Sequence, residues 1–216
     1  MVDQVELFYA PQTRASGVRV LLEELGAPYK LNLLNLKLGE NRQPHFLSIN
    51  PSGKVPALRV GDAVITEQVA VYIYLADLFP EKGLTPALDD PRRGPYLRWF
   101  VHMASCFEPA LVDRALKREE APVSISPYGS FETVMENMRA QLAKGPYVLG
   151  DRMTAVDVLW GMGLRWGMMF GIVPELDEFK AYAQRFSERP SVEKVLQEDQ
   201  NMIKEQEDAA IQAGIA

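Results

Sequence analysis

The first eighty residues alternate between two spacings of apolar side chains. Short apolar runs such as VELFYA and YKLNLLNL are typical of strands, whereas ASGVRVLLEELG repeats its apolar positions at helical spacing and stops at Gly26. In ALRVGDAVIT, two alternating runs flank Gly61-Asp62, which indicates a tight hairpin, and TEQVAVYIYLADLFP then resumes helical spacing up to Pro80. The pattern predicts a strand-helix-strand unit with a parallel, right-handed crossover, followed by an antiparallel hairpin and a helix.

Beyond residue 80 the pattern contains helices alone. The segment PEKGLTPALDDP is rich in Pro, Gly and Asp, as linkers are. Helical spacing then covers approximately 91–118, 127–144, 154–171, 175–188 and 191–205. We therefore predict an α/β domain at residues 1–80, a linker at 81–90 and an all-helical domain at 91–216.

The most apolar helical segment, MTAVDVLWGMGLRWGMMFGIVP, approaches the length that crosses a bilayer. Asp157 and Arg165 interrupt it, and each would cost about 2.5 to 3.5 kcal/mol at the membrane centre, so we expect a buried helix and no membrane partner. Thr154 and Asp157 match a capping box that begins a helix, and we expect both to be buried. Glycines also recur at every fourth position, which lets another helix approach closely. They are Gly163, Gly167 and Gly171.

Composition and charge exclude several classes of function. The 216 residues carry a net charge of −6 with acidic and basic side chains interspersed, which leaves no basic surface for nucleic acid. Cys106 is the only cysteine, and His45 and His102 are the only histidines, so neither a disulfide framework nor a metal site is predicted. The first residues, MVDQVELFYA, lack the basic and apolar regions of a signal peptide, and we expect a cytoplasmic protein.

Three segments of the chain resemble the cytosolic glutathione transferases, in the order and at the spacing of that family. They are NPSGKVPAL, TEQVAVYIYLADLFP and MTAVDVLWG. The resemblance, to a bacterial-type member with a Thr/Ser-like active site, implies a thioredoxin-like α/β domain, an all-α helical C-terminal domain and a homodimer. It also implies glutathione as co-substrate, no metal, and conjugation of the glutathione thiolate to hydrophobic electrophiles, with peroxide reduction as a further detoxification activity.

The resemblance assigns glutathione-binding roles to two short stretches. In the family the proline matching Pro56 is cis, and the preceding residue, here Val55, pairs its backbone with the cysteinyl part of glutathione. Glu67 and Gln68 begin a helix, where free amides favour a carboxylate, and the family places the γ-glutamyl carboxylate there with Glu67 facing its ammonium group. Gln68 departs from the serine of many members. Lys54 matches a position that meets the glycyl carboxylate in several classes.

The reacting sulfur needs a hydrogen-bond donor, because glutathione reacts as thiolate and a free thiol titrates near about 8.5. Thr13 falls where serine-type classes have their hydroxyl, and we assign it the catalytic role, although a helix cap alone would also explain it. Tyr9, as in tyrosine-type classes, and a backbone amide remain alternative donors. Since positions 12–15 contain no cysteine, a mixed disulfide with the enzyme is not expected.

The second substrate is expected against the first helix of the helical domain, GPYLRWFVHMASCFEPALVDRA. Aromatic and Met residues recur there at helical spacing, so most of them belong to the core. The resemblance leads us to assign the hydrophobic pocket to Tyr9, His102, Met103, Phe107 and Trp166. The alternative function is a non-catalytic binding or carrier protein on the same scaffold, followed by a glutathione-dependent isomerase or dehalogenase.

Overall fold

A computed structural model describes residues 3–119 and 121–214 of the chain. Its strands are β1 (Val5–Tyr9), β2 (Tyr29–Leu33), β3 (Ala57–Val60) and β4 (Ala63–Ile65). Its helices are α1 (Arg14–Leu25), α2 (Pro44–Leu47), α3 (Gln68–Leu78), α4 (Arg93–His102), α5 (Glu108–Ala115), α6 (Phe131–Leu142), α7 (Ala155–Met169), α8 (Asp177–Ser187) and α9 (Pro190–Gln212).

The described residues form two compact units. Unit 1 contains those up to Phe79 together with those from Arg189 onward, and unit 2 runs from Pro80 to Glu188. The sequence assigned everything after residue 90 to the helical domain, whereas in the structure α9 groups with unit 1 because it packs on α1. Helical spacing identifies a helix but does not say which distant helix it contacts.

The sheet of unit 1 has the order β2-β1-β3-β4. β1 pairs in parallel with β2 and antiparallel with β3, and β3 pairs antiparallel with β4. This confirms the predicted crossover unit followed by a hairpin. Gly61 occupies the hairpin turn with φ 56°, and Gly26 ends α1 with φ 58°, both in the left-handed region that glycine adopts without steric cost.

Helix α2 is one element that the apolar pattern did not predict. It spans four residues, Pro44–Leu47, too few for helical spacing to be visible in the sequence. The one fully buried side chain of α2, Phe46, lies 5.8 Å from the ring of Phe8 between the two centroids, and both belong to a cluster with Leu34 and Ala57. Burial against the sheet, rather than local propensity, therefore stabilises α2.

Unit 2 consists of helices, as predicted. The single helix expected over 91–118 is interrupted by a wider π-helical turn at Met103–Phe107, which joins α4 to α5. Pro109 follows this turn, and a proline cannot donate to the carbonyl four residues earlier, so the regular ladder is broken there. Cys106 lies in the wide turn and is half-buried.

The capping box at the start of α7 is confirmed. The Asp157 carboxylate is 1% exposed and accepts hydrogen bonds from the amide of Thr154 at 2.8 Å and the amide of Val148 at 2.7 Å. The hydroxyl of Tyr182, on α8, donates to the same carboxylate at 2.9 Å, so the cap also joins two helices. Among the described residues, no helix is both long and apolar enough to cross a membrane.

The glycine stripe of α7 is confirmed at two of its three positions. A Cβ on Gly163 would lie 2.8 Å from the terminal methyl of Met103 in the π-helical turn. One on Gly167 would lie 3.4 Å from Cδ2 of Leu111 on α5, and 2.4 Å from Cγ2 of Val173, just after α7. Gly171 lies beyond the end of α7, with φ 65° and open space around it. The closest contact is at Gly161, outside the stripe, where a Cβ would lie 2.3 Å from Cγ of the Phe186 ring.

We expect Gly161→Ala to destabilise unit 2, because the added methyl collides with a rigid ring between α7 and α8. The expected loss in the free energy of unfolding, measured in urea, is about 1 to 3 kcal/mol. Gly163→Ala is the matched control, since its methyl would collide only with the flexible end of Met103, would touch the Phe107 ring at an ordinary 3.6 Å, and alanine favours the helix. A larger loss for the control than for Gly161→Ala would contradict this account of the packing.

Candidate functional site

Three segments of unit 1 converge at one end of the sheet. Phe8 pairs with Ala57 in the antiparallel β1–β3 ladder, so the chain that leaves β1 lies beside the chain that enters β3. Leu58 pairs with Ile65, so the chain that leaves β4 reaches the same end. Adjacent strands lie about 4.8 Å apart. The residues at 10–13, 53–56 and 66–68, which we call the site end of the sheet, are thus brought together by strand register alone.

The Val55–Pro56 peptide bond is cis, as the resemblance implies. Asn50 donates from Nδ2 to the carbonyl of Lys54 at 2.7 Å, which holds the chain just before that bond. Pro56 is buried, Val55 is half-buried and Lys54 is exposed. Within residues 3–119 and 121–214, the main chain of Val55 makes no hydrogen bond. Its amide and carbonyl are therefore available for strand-like pairing with an extended ligand.

The loop before Val55 is fixed by contacts from the short 3₁₀ helix Glu40–Arg42, just ahead of α2. Nδ2 of Asn41 donates to the carbonyl of Gly53 at 2.8 Å, and the guanidinium of Arg42 donates to the carbonyl of Ser52 at 3.1 Å. Gly53 has φ 61° and is buried, with the Asn41 carbonyl close to the position that a Cβ would occupy. The shape of this loop thus depends on a glycine at position 53.

The amino end of α3 offers amides without a side-chain cap. Glu67 precedes the helix with φ 65° and ψ 116°, a conformation that costs a non-glycine residue about 1 to 3 kcal/mol, and its side chain is exposed. Nε2 of Gln68 donates to the carbonyl of Arg14 at 3.3 Å, which ties the start of α3 to the start of α1. A helix terminus of this kind favours an anionic ligand.

Thr13 is the amino-terminal cap of α1. Its Oγ1 accepts a hydrogen bond from the amide of Ala15 at 3.1 Å and donates to the carbonyl of Ala10 at 2.7 Å. The side chain is half-buried, and the capping role expected for a threonine before a helix is confirmed. Rotation about the Cβ–Oγ bond redirects the proton without disturbing the cap, since the cap uses the oxygen as acceptor.

Tyr9 lies at the end of β1 and is fully buried within the protein. Its hydroxyl donates to the carboxylate of Asp199, on α9, and the hydroxyl of Ser16 lies 3.3 Å away. Burial, followed by the negative charge of Asp199, raises the pKa of Tyr9 well above its usual value. This placement argues against both roles that the sequence suggested for Tyr9, as donor to a thiolate and as a wall of the substrate pocket.

The other residues assigned to the hydrophobic pocket lie in unit 2. His102, Met103 and Phe107 are buried, and the rings of His102 and Phe107 lie 6.1 Å and 4.9 Å from that of Trp160 between centroids. Burial, with a smaller contribution from the charge of Arg98, lowers the pKa of His102 to about 4. These three side chains form part of the aromatic core of unit 2, with a histidine that is neutral at physiological pH.

Trp166 differs from the buried members of that set. It is 47% exposed on α7, and its ring lies 4.6 Å from that of Phe170, which is also exposed. The structure thus separates the unit 2 residues assigned to one pocket into a buried cluster and one exposed side chain, that of Trp166.

A cavity of about 430 Å³ in unit 2 was not assigned from the sequence. Its lining combines apolar and charged side chains from the π-helical turn, α5 and the loop that follows. The lining residues are Ala104, Glu108, Pro109, Val112, Asp113, Arg118, Ala121, Ser126, Pro127 and Tyr128. The signal present in the sequence is the spacing 104, 108, 112, which marks one helical face beside the core-forming one.

The polar wall of the cavity is a small network around Asp113. Its carboxylate accepts from the hydroxyl of Tyr128 at 2.6 Å and from Arg118 at 2.9 Å. These two contacts, the tyrosine first, lower the pKa of Asp113. In the part of the chain that the structure describes, no group of three His, Cys, Asp or Glu side chains is arranged to hold a metal ion.

Comparison with known proteins relates unit 1 to a described family. Residues 3–77 match the family model of the glutathione S-transferase N-terminal domain. Glutathione S-transferase GstA of Escherichia coli O157:H7 is 29% identical over 198 residues, which cover 89% of this chain and 97% of that protein. Glutathione S-transferase F10 of Arabidopsis thaliana is 30% identical over 163 residues, which cover 69% of this chain and 75% of that protein.

A solved structure extends the similarity to nearly the whole chain. A glutathione transferase homologue from Sulfitobacter, crystallised with bound glutathione, is 26% identical and superposes with a TM-score of 0.71. The match covers 92% of this chain and 99% of that structure. The similarity therefore includes the helical part that follows the N-terminal domain.

We expect Gly53→Ala to destabilise unit 1 more than Gly39→Ala, although both glycines have positive φ, 61° and 69°. A Cβ at residue 53 would lie 2.9 Å from the Asn41 carbonyl, whereas nothing lies within 4 Å of one at residue 39. The control therefore carries only the backbone strain, about 1 to 2 kcal/mol, and Gly53→Ala carries the collision in addition. Equal urea midpoints and slopes for the two variants would show that the loop contacts are unimportant.

Proposed function

Because the chain belongs to the glutathione S-transferase family, we propose that it binds glutathione at the site end of the unit 1 sheet and transfers the tripeptide's thiolate to a hydrophobic electrophile. The observation that carries the proposal is the convergence of the segments at 10–13, 53–56 and 66–68 through strand register. These segments supply a hydroxyl, an available strand-like backbone and a helix amino terminus, one for each part of an extended tripeptide.

The glutathione contacts follow from the chemistry of each segment. Val55, the residue that precedes the cis bond to Pro56, pairs its available main chain with the cysteinyl residue of glutathione. The γ-glutamyl carboxylate occupies the uncapped amino end of α3 and receives the Gln68 amide, while the exposed Glu67 faces the ammonium group. Lys54, exposed beside Val55, meets the glycyl carboxylate.

Thr13 is the group that stabilises the thiolate in this proposal. Lowering a thiol pKa by two units requires about 2.7 kcal/mol, and one hydrogen bond to a charged group contributes about 1.5 to 3 kcal/mol. The Thr13 hydroxyl lies at the start of α1, where the helix dipole adds to its effect on an anion. Tyr9 is already committed to Asp199, which leaves Thr13 and the first amides of α1 as the donors.

We place the second substrate in the cavity of unit 2, since a hydrophobic electrophile matches the apolar surface supplied by Ala104, Pro109 and Val112. Organic peroxides are a second class of substrate that such a site accepts. Homodimerisation and a cytoplasmic location complete the proposal and are supported by membership of the family. The alternative is a carrier that binds glutathione without turnover, favoured by the engagement of the Thr13 hydroxyl with Ala10.

We expect Thr13→Ala to raise the apparent pKa of bound glutathione by about one to two units, because one charge-assisted hydrogen bond is lost. The measurement is a pH titration of the ultraviolet absorbance of the thiolate. Thr13→Ser is the matched control, since it keeps the hydroxyl, and its pKa should remain close to that of the unmodified protein.

Thermal unfolding with glutathione separates the outcomes of that experiment. A glutathione concentration of about 100 times Kd stabilises the folded protein by about 2.7 kcal/mol. The melting temperature should therefore rise in the unmodified protein, in Thr13→Ala and in Thr13→Ser. A melting shift without any thiolate absorbance would favour the carrier, whereas no shift at millimolar glutathione would contradict the binding site itself. A thiolate pKa that Thr13→Ala leaves unchanged would transfer the role to backbone amides.

We expect Val112→Trp to raise KM for a chlorodinitrobenzene electrophile about ten-fold, equivalent to about 1.4 kcal/mol of binding, because the indole fills part of the cavity. The KM for glutathione and its melting shift should not change, since Val112 lies in unit 2. Val123→Trp is the control, because Val123 is 70% exposed on the following loop and does not line the cavity. Equal KM values for the two variants would remove the cavity from the proposal.

A further inference from the structure

Asp199, on α9, is the acceptor at the centre of a buried polar cluster in unit 1. It is 1% exposed. Oδ1 accepts from the hydroxyl of Tyr9 and lies 3.9 Å from the guanidinium of Arg19. Oδ2 accepts from the hydroxyl of Ser16 at 2.6 Å and from the backbone amide of Gln12 at 3.0 Å. A carboxylate that receives donors from β1, α1 and the turn between them is held in one orientation.

The hydrogen bond to Asp199 from the backbone amide of Gln12 holds the residue directly before Thr13. Gln12 has φ 51°, in the left-handed region that non-glycine residues adopt at a steric cost. Its own side chain is exposed, so the conformation is not imposed by burial of that side chain. The charged acceptor on α9 offsets the unfavourable backbone geometry, since hydrogen bonds to an ionised group are about twice as strong as neutral ones.

We propose that Asp199 is a positioning residue for thiolate formation. It holds the Gln12 peptide in the left-handed conformation and thereby sets where the Thr13 hydroxyl stands relative to the glutathione sulfur. The inference rests on the proposed function of Thr13 and adds a residue of the last helix to it. Asp199 itself does not contact the substrate, because it lies beneath the turn, enclosed by Tyr9, Ser16 and Arg19.

Glu198 allows the positioning role to be separated from general packing of α9 on α1. It lies next to Asp199 and forms an ion pair with Arg19, so it also joins the two helices. Its side chain is 38% exposed, and in the described parts of the chain it makes no hydrogen bond to the turn at 10–13. Glu198→Ala therefore weakens the attachment of α9 while leaving the Gln12 contact in place.

The test compares the Asp199→Asn and Glu198→Ala proteins, each with glutathione bound. Asparagine keeps the size of the side chain but removes the charge and one acceptor. Either the Tyr9 hydroxyl loses its acceptor, or the Ser16 hydroxyl and the Gln12 amide lose theirs together, and in both cases the Gln12 contact no longer has a charged acceptor. We expect the apparent pKa of bound glutathione, read from thiolate absorbance, to rise by about one unit. At a pH below both pKa values, kcat should then fall about ten-fold, with little change in KM for glutathione. Glu198→Ala should leave both quantities at the level of the unmodified protein.

A double variant tests whether Asp199 acts through Thr13. If it does, Asp199→Asn combined with Thr13→Ala should raise the thiol pKa no more than Thr13→Ala alone, since the hydroxyl being positioned is already absent. A purely structural loss would instead appear in the melting temperature and add to the effect of Thr13→Ala. Additive pKa shifts in the double variant would therefore overturn the inference.

Three further outcomes decide between the positioning role of Asp199 and its alternatives. An Asp199→Asn protein that folds and keeps the pKa of bound glutathione would overturn the positioning role. If that variant does not fold, Ser16→Ala replaces it, because it removes one donor that orients the carboxylate; an unchanged pKa there would overturn the role as well. Failure of the unmodified protein to bind glutathione or form a thiolate would instead count against the proposed function, independently of Asp199.

Discussion

Strand β3 is hydrogen-bonded on both sides to antiparallel neighbours, and the organisation of unit 1 depends on this arrangement. Because β1 and β4 both run opposite to β3, the chain leaves β1, enters β3 and leaves β4 at the same end of the sheet. Helices α1 and α3 begin there, so two amino termini and an unpaired stretch of backbone face one region. A one-residue change of register would turn every side chain of β3 to the opposite face and disperse the group.

Contacts between distant parts of the chain then fix the details that register leaves open. The side-chain amide of Gln68 donates to the Arg14 carbonyl and so ties the start of α3 to that of α1. The carboxylate of Asp199 accepts from the Gln12 amide and brings α9 beneath the turn at 10–13. The buried charge on Asp199 does not itself favour a nearby thiolate, since like charges repel. Arg19, 3.9 Å from Oδ1, opposes that charge, and the role that we propose for Asp199 is therefore geometric rather than electrostatic.

The sequence allowed the fold class, the strand-helix-strand unit and the hairpin to be predicted because apolar spacing, Gly26 and the Gly61-Asp62 pair are local signals that agree with the tertiary structure. The stretch that we propose binds glutathione was identified through its motif. Asp199 was not found, because it lies in a helix of ordinary polar composition and acquires its role only by packing on α1. His102 and Phe107 were assigned to a pocket from their apolar character, which identifies burial but does not distinguish a core from a cavity wall.

The two hydrogen bonds of Thr13 suggest how a hydroxyl already in use can serve a reaction. A neutral bond to the Ala10 carbonyl contributes about 0.5 to 1.5 kcal/mol, whereas one to a thiolate contributes about 1.5 to 3 kcal/mol. In the proposed mechanism the Thr13 hydroxyl therefore donates to the Ala10 carbonyl while the sulfur is protonated, and it donates to the sulfur once the thiol ionises. The cap survives the exchange, because Oγ1 continues to accept from the Ala15 amide. In the proposed mechanism such a hydroxyl stabilises the thiolate selectively over the thiol, and the left-handed Gln12 peptide is the element that would hold it within reach of both acceptors.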